Sequence, residues 1–304
     1  MDHKTIQSNP KEASSKSSSR PTITFCIITM NRTRWLANTL KSIAEYCPVK
    51  YQIKLLIIGE LTQELKDTLR EYGDKIDLVT SPVNLGCGGG RALLAQGITT
   101  EFTMMLDDDM YLTEGAIEEG MSALDSDEHI GAVGIPQQSP QGRLIAPSGK
   151  HLIIKDGVIR RPPVKLEKQR KLMEVEDVDG GAMLMKTEML QDFRWDDRLF
   201  SFEDLDKSLQ IIRGGKWKQA VIPNARLVHD RSWLQDRQEE QYVRIRLNGF
   251  ATRASYRLFR RKWGLRLDLR DHVYVELTLP LLSLIPSQRP RAALDGFIRE
   301  RRTT

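Results

Sequence analysis

At 304 residues the chain is long enough for one large α/β domain or two small ones. Hydrophobic residues make up 40% and charged residues 29%, the balance of a soluble globular protein with a sizeable core and not of a disordered or membrane-embedded chain. The net charge of +5 is uneven: from Arg231 onward 16 Lys/Arg face 8 Asp/Glu, and residues 1–230 carry 30 basic and 33 acidic groups.

Residues 1–21 are polar, with a Ser/Lys cluster, and read as a disordered tail without a signal peptide. Thr22–Thr29 is a β-branched apolar run, a buried strand. Residues 33–46 place Trp35, Leu36, Leu40, Ile43 and Ala44 at helical spacing, and Pro48 ends the helix. The cycle repeats: strand Ile53–Ile58, helix Leu61–Tyr72, strand Ile76–Thr80. A helix then covers Arg91–Gln96 after a glycine cluster, followed by strand Phe102–Leu106, helix Glu114–Leu124 and strand Ile130–Ile135. This alternation predicts a mainly parallel, Rossmann-like sheet with helices on both faces, whose ligands bind at the carboxyl ends of the strands. Beyond it, Leu152–Ile159 around Asp156-Gly157 reads as a hairpin and Ala182–Met185 as a short strand. Asp204–Ile212 reads as a helix ended by Gly214-Gly215, Lys218–Ile222 and Arg226–Val228 as extended pieces, and Gln238–Arg261 as one long basic helix. Leu277–Ile285 is apolar but broken by Thr278, Pro280 and Ser283, far short of the roughly 20 residues of a membrane span. Cys26, Cys47 and Cys87 show no metal spacing and read as reduced thiols, so the expected location is cytoplasmic.

Four clusters carry chemistry. Asp107-Asp108-Asp109 ends an apolar strand. Adjacent carboxylates repel unless a cation joins them, and strand alternation turns Asp107 and Asp109 to one side and Asp108 to the other. Two such carboxylates suit Mg²⁺ or Mn²⁺; a solvated acidic loop is the alternative. Phe200-Ser201-Phe202-Glu203-Asp204-Leu205-Asp206 sets carboxylates at a helix start, either as a general base or as a plain N-terminal cap. His229 follows a strand; a lone His is more often structural, but an imidazole ligand there favours Mn²⁺. The run Asn84–Arg91, with Gly86 and Gly88-Gly89-Gly90, offers backbone N–H groups and a guanidinium to a phosphate, or is a flexible turn.

Together these stretches resemble the family 2 glycosyltransferases with the GT-A fold, over residues 22–233. Ile27–Arg32 looks like the family's opening strand and nucleotide-binding turn, Asn84-Leu85-Gly86 with Arg91 like its Asn-x-Gly segment, and Leu106–Asp109 like its Asp-x-Asp motif. Gly180-Gly181 leading through Glu203-Asp204 to His229 has the order of its later motifs. The resemblance implies that Thr29, Asn31, Arg32, Glu60, Asn84, Gly86, Arg91, Asp107, Asp108, Gly180 and Gly181 bind the nucleotide-sugar. It implies further that Asp107, Asp109 and His229 hold a divalent metal (Mn²⁺ or Mg²⁺), that Asp204 is the base of an inverting transfer, and that Glu203 positions the acceptor. The donor would be a nucleotide-diphosphate sugar, a UDP-sugar first. The acceptor would be a hydroxyl of a saccharide, a lipid-linked saccharide or a small molecule, in polysaccharide assembly by analogy. One departure stands out: the family's acidic pair after the second strand is Gly59-Glu60 here, so the nucleotide base is left open.

Two other classes compete. A non-catalytic sugar-nucleotide or glycan-binding protein on the same scaffold has no need of Asp204. A nucleotidyltransferase usually carries an early glycine-rich loop, which Thr29-Met30-Asn31-Arg32 lacks. Residues 234–304 read as a basic, mostly helical extension. It reads as a helix packed on the catalytic domain or as a peripheral contact with the inner face of a membrane through anionic lipid; no motif accompanies the charge to point to nucleic acid.

Overall fold

The computed structural model describes residues 22–232, 240–246 and 248–284; the expected tail 1–21 and part of the expected helix 238–261 lie outside them. The main sheet has eight strands: β1 (Ile23–Thr29), β2 (Tyr51–Ile58), β3 (Ile76–Ser81), β4 (Phe102–Asp107), β5 (Ile130–Gly134), β6 (Met173–Val175), β7 (Ala182–Lys186) and β8 (Lys218–Val221). Their spatial order is β6-β8-β5-β7-β4-β1-β2-β3. Strands β1 to β4 pair in parallel, β7 is antiparallel to both β4 and β5, β8 is parallel to β5, and β6 is antiparallel to β8.

Helices lie on both faces, as the alternation of sequence predicts. In β1, Ile23, Phe25 and Ile27 share a core with Leu36, Leu40 and Ile43 of α1 (Thr33–Tyr46) and Leu65 of α2 (Gln63–Arg70). Cys26 points to the other face, with Leu94 of α3 (Gly86–Leu94), and burial pushes its thiol up to about 12. Helix α4 (Ala116–Asp125) joins the first face through Ile117 and Leu124, and α5 (Glu203–Gly214) the second through Ile211. The hairpin 153–155/158–160 forms as expected.

Two expectations fail for physical reasons. The glycine cluster is not a loop before a helix: Gly86 to Gly90 are the first turn of α3. A Cβ at Gly90 would press on Ile28 at 2.5 Å, and one at Gly86 on Phe200 Cα at 2.6 Å. The run is therefore a close-packing face, which only glycine allows. The expected long basic helix is broken at Asn248, whose side chain accepts from Ala251 N at 3.1 Å and caps a new helix. The pieces are α6 (Glu240–Arg246) and α7 (Gly249–Trp263). After α7 the chain turns into a helical stretch, 269–282, whose residues 274–278 are wound as a π-helix. Tyr256 and Phe259 of α7 share a core with Leu205 and Leu209 of α5 and with Tyr274, Val275 and Leu279.

A smaller four-stranded sheet, ordered Met110–Leu112, Leu227–His229, Gln137–Gln138, Leu144–Ala146, lies beside the end of β4. It positions His229 opposite Met110, next to the acidic triplet.

Candidate active site

Strand β4 ends at Asp107, and Asp108 and Asp109 form a turn. The pleat therefore stops before the second carboxylate, and the expected pairing of Asp107 with Asp109 does not occur. Instead Asp108 and Asp109 share one guanidinium: Arg32 Nη1 donates to Asp108 at 2.5 Å and Nη2 to Asp109 at 3.2 Å. Thr29 Oγ1 donates to the other oxygen of Asp108 at 2.7 Å. Arg32 is buried, its charge stacked over Tyr242 of α6 at 4.1 Å and Trp35 at 5.1 Å. Burial pushes Asp108 up to about 7 against the pull of Arg32. Thr29 and Arg32, expected in the nucleotide pocket, thus serve to hold the triplet. Asn31 adopts the left-handed region at φ 56°, its side chain against Gly59 at φ 104°; Glu60 is exposed and does not line the cleft.

Asp107 lies apart, with Arg91 Nη2 3.7 Å from its Oδ1. Arg91 Nη1 donates to Glu203 Oε1 and to Asp204 Oδ1, each at 2.6 Å. Burial works against this guanidinium, but the charges of Asp204 and Glu203 hold it above its ordinary value. Arg91 is a carboxylate clamp: its Nη1 is taken by Glu203 and Asp204, while the residue also lines the cleft. The first amides of α3 are likewise taken: Gly86 N donates to Asn84 Oδ1, and Cys87 N and Gly88 N to the carbonyls of Phe200 and Leu199. Gly180 and Gly181 make room for side chains. A Cβ at Gly180 would collide with Asp204 and Arg91, and one at Gly181 with the Asp107 carboxylate.

Glu203 and Asp204 open α5 after Phe202, which stands in the left-handed region at φ 71°. Acidic groups are favoured at that helix end. Glu203 is the more buried, and burial, then the charge of Asp204, pushes it up to about 7 against Arg91. Asp204 is the more open to the cleft. The cleft, about 570 Å³, is lined by Ile28, Met30, Ile58, Asn84, Asp107 and Asp108 together with Glu203-Asp204. Tyr242, Ile245, Tyr274, Val275 and Leu279 line it too, so the C-terminal helices form part of its wall.

His229 is buried with Nε2 3.5 Å from Asp109 Oδ1 and without a hydrogen-bond partner. Its Nδ1 is 2.8 Å from Gln137 Oε1, and Gln137 Nε2 donates to Ser148 Oγ at 3.1 Å, which fixes the amide. Nδ1 therefore carries the proton and Nε2 presents its lone pair towards Asp109. Two donors each about 2.1 Å from one ion stand about 3.0–3.4 Å apart, so this pair fits a divalent cation. Among the described residues no group of three or more His, Cys, Asp and Glu could hold a metal, so the pair would need further ligands from a bound substrate. Sequence reasoning missed Gln137, although its place just beyond β5, at a strand's carboxyl end, was a usable signal. It also missed Tyr242.

A model of glycosyl transferase family 2 matches residues 24–194, more than half the chain. The chain belongs to glycosyl transferase family 2. It is therefore a glycosyltransferase enzyme, and the expected family and GT-A fold both hold. Among solved structures it is similar to GalNAc-T7 with UDP, GalNAc and Mn²⁺ (TM-score 0.57, 16% identity), covering 88% of this chain but only 59% of that one. It is similar too to the mannosyltransferase PcManGT from Pyrobaculum calidifontis with GDP-Man and Mn²⁺ (0.55, 15%, 91% and 74%). A third is S. aureus TarS 1-349 (0.53, 14%, 90% and 82%). At these identities the likeness is one of fold. No curated protein matches by sequence.

Proposed function

We propose that this family 2 glycosyltransferase transfers a sugar from a nucleotide-diphosphate donor to an acceptor hydroxyl, with inversion at the anomeric carbon and Asp204 as base. The observation that carries the reading is the Arg91 bridge: one guanidinium is 2.6 Å from Asp204 and 3.7 Å from Asp107. A carboxylate on the donor side and a base thus share one cleft within the span of a single side chain.

In this reading the donor's nucleotide lies along Ile28, Met30, Ile58 and Asn84, with Asp107 beside it. Arg91 holds one oxygen of Asp204 and leaves the other to take the proton of the acceptor hydroxyl as the acceptor's own oxygen attacks the anomeric carbon and the nucleoside diphosphate departs. Glu203 is buried and shares the clamp, so its part is to orient Arg91 and Asp204. Asp109 Oδ1 and His229 Nε2 would hold a divalent cation, Mn²⁺ more readily than Mg²⁺ because one donor is an imidazole. Bound there, such an ion neutralises charge on the leaving diphosphate. The fold neighbours bound to UDP, UDP-GlcNAc or GDP-Man support a nucleotide-sugar donor without choosing among them.

The test is a thermal-shift panel of nucleoside diphosphates with Mn²⁺, Mg²⁺ or chelator, followed by donor hydrolysis and the anomeric configuration of the product. Stabilisation that needs nucleotide and metal together, and loss of turnover in Asp204→Asn without loss of fold, are expected. Full turnover by Asp204→Asn would overturn the assignment of the base.

A further inference from the structure

The helical stretch that walls the cleft carries a second surface on its outer side. Leu269, Val273, Leu277, Leu281 and Leu284 are 71%, 40%, 58%, 65% and 65% exposed. They recur every four residues, then three, so they line one side of the stretch; the wider π-helical turn at 274–278 keeps residues four apart in file. Phe250, 46% exposed, stands near them: its neighbour Gly249 donates to Ser283 Oγ at 2.7 Å. Six of the twelve exposed large hydrophobic side chains among the described residues belong to this one ridge. Single exposed leucines are ordinary, but a row of them marks a contact surface.

Charge tells what the contact is. The acids of the stretch are turned to protein: Asp268 caps the helix at Asp271 N, Asp271 lines the cleft, and Glu276 is gripped by Arg257 and Arg260. Arg270 is exposed on the same stretch and Arg266 just before it, and on α7 Arg261 is exposed, Arg257 and Arg260 together outnumber the one Glu276 they hold, and Arg253 sits over the Phe250 ring at 5.6 Å. From Leu284 the sequence runs on for twenty residues with five arginines against two acids. An apolar ridge flanked by arginines matches an anionic lipid surface: aliphatic side chains enter the acyl boundary and guanidinium groups meet phosphate headgroups. Among the described residues no helix is long and apolar enough to cross a membrane, so the contact lies in the plane of the bilayer.

We propose that the ridge Phe250, Leu269, Val273, Leu277, Leu281 and Leu284 docks this enzyme on an anionic bilayer. This places the membrane contact on the apolar ridge and makes the basic helix its flank. Tyr274, Val275 and Leu279 of the same stretch line the cleft, and a helix is about 10–12 Å across. Docking thus sets the cleft about one helix diameter from the acyl boundary, within reach of an acceptor anchored in that bilayer. This last consequence rests on the transferase reading above; the docking itself does not.

Co-sedimentation of the full chain with vesicles tests it, comparing phosphatidylcholine alone with phosphatidylcholine mixed with phosphatidylglycerol. Binding to the mixed vesicles only, weakened by salt, is expected. Leu277→Glu/Leu281→Glu should lower that binding by about a hundredfold, because two leucines no longer enter the lipid. Its melting temperature and nucleotide-induced shift should stay those of the parent. No binding to mixed vesicles by the parent, or equal binding by the variant, overturns the proposal. So does a parent dimer that the variant dissolves without any lipid binding, since the ridge would then be covered by a second copy. Nucleotide shifts and donor hydrolysis in lipid-free solution report on the transferase reading separately.

Discussion

Gly88→Ala separates the two readings of the glycine run, phosphate loop and packing face. Gly88 is in the first turn of α3, where alanine gains about 1 kcal/mol in helix propensity. Against this, a Cβ there would sit 2.6 Å from the carbonyl oxygen of Asp196, closer still to that of Leu199, and 3.3 Å from Glu203 Cβ. Both oxygens belong to backbone, so no side chain can swing away, and the segment carrying Glu203 must retreat by on the order of 1 Å. Such overpacking costs about 3 kcal/mol at the upper end of its range, leaving a net loss of about 2 kcal/mol. For a chain of this size that is a fall of about 4–8 °C in melting temperature. A shift on the order of 1 Å at the base also lowers turnover by about a hundredfold. Gly214→Ala is the control: it lies in the last turn of α5 with nothing within 4 Å of its Cβ, and it should melt at or slightly above the parent. Melting curves and donor hydrolysis on both variants make the comparison. A Gly88→Ala protein as stable and active as the parent would refute the packing account.

Gln137→Leu removes the acceptor that fixes the His229 tautomer and should weaken Mn²⁺ binding by about 10–100-fold, read by metal titration of the nucleotide-dependent thermal shift. Arg32→Met strips Asp108 and Asp109 of their shared cation. In chelator it should lose about 3–5 kcal/mol in denaturant unfolding, and added divalent cation should restore more stability to it than to the parent. Glu203 and Asp108 both titrate near 7 in the fold, above their ordinary carboxylate values. Between about pH 4 and 7 the folded state then holds more protons than the unfolded one, so stability falls as pH rises through that window. Glu203→Gln should make the fall shallower in denaturant melts at pH 5 and 7.5; an unchanged slope would place the titration elsewhere.

Much of the architecture was legible because a strand or helix buried on one side writes its period into the chain. Ile23, Phe25 and Ile27 alternate with Cys26 across β1, and Leu36, Leu40 and Ile43 repeat along α1, so these elements follow from local sequence. The residue types of the site were legible for the same local reason: carboxylates at a strand end and a helix start stand out. Their partners were not. Strand alternation put Asp107 with Asp109, but the strand stops at Asp107, and the turn gives Asp108 and Asp109 to Arg32, 76 and 77 residues away. Gly88 and Arg91 looked like a phosphate cradle because the segment that fills the space, 196–204, is a hundred residues on. Local periodicity decides which face of an element is apolar. Only the packing of distant segments decides which charges meet, and so which carboxylates stay open to the cleft: Asp107 and Asp204 do, with Arg91 between them, while Glu203 is buried.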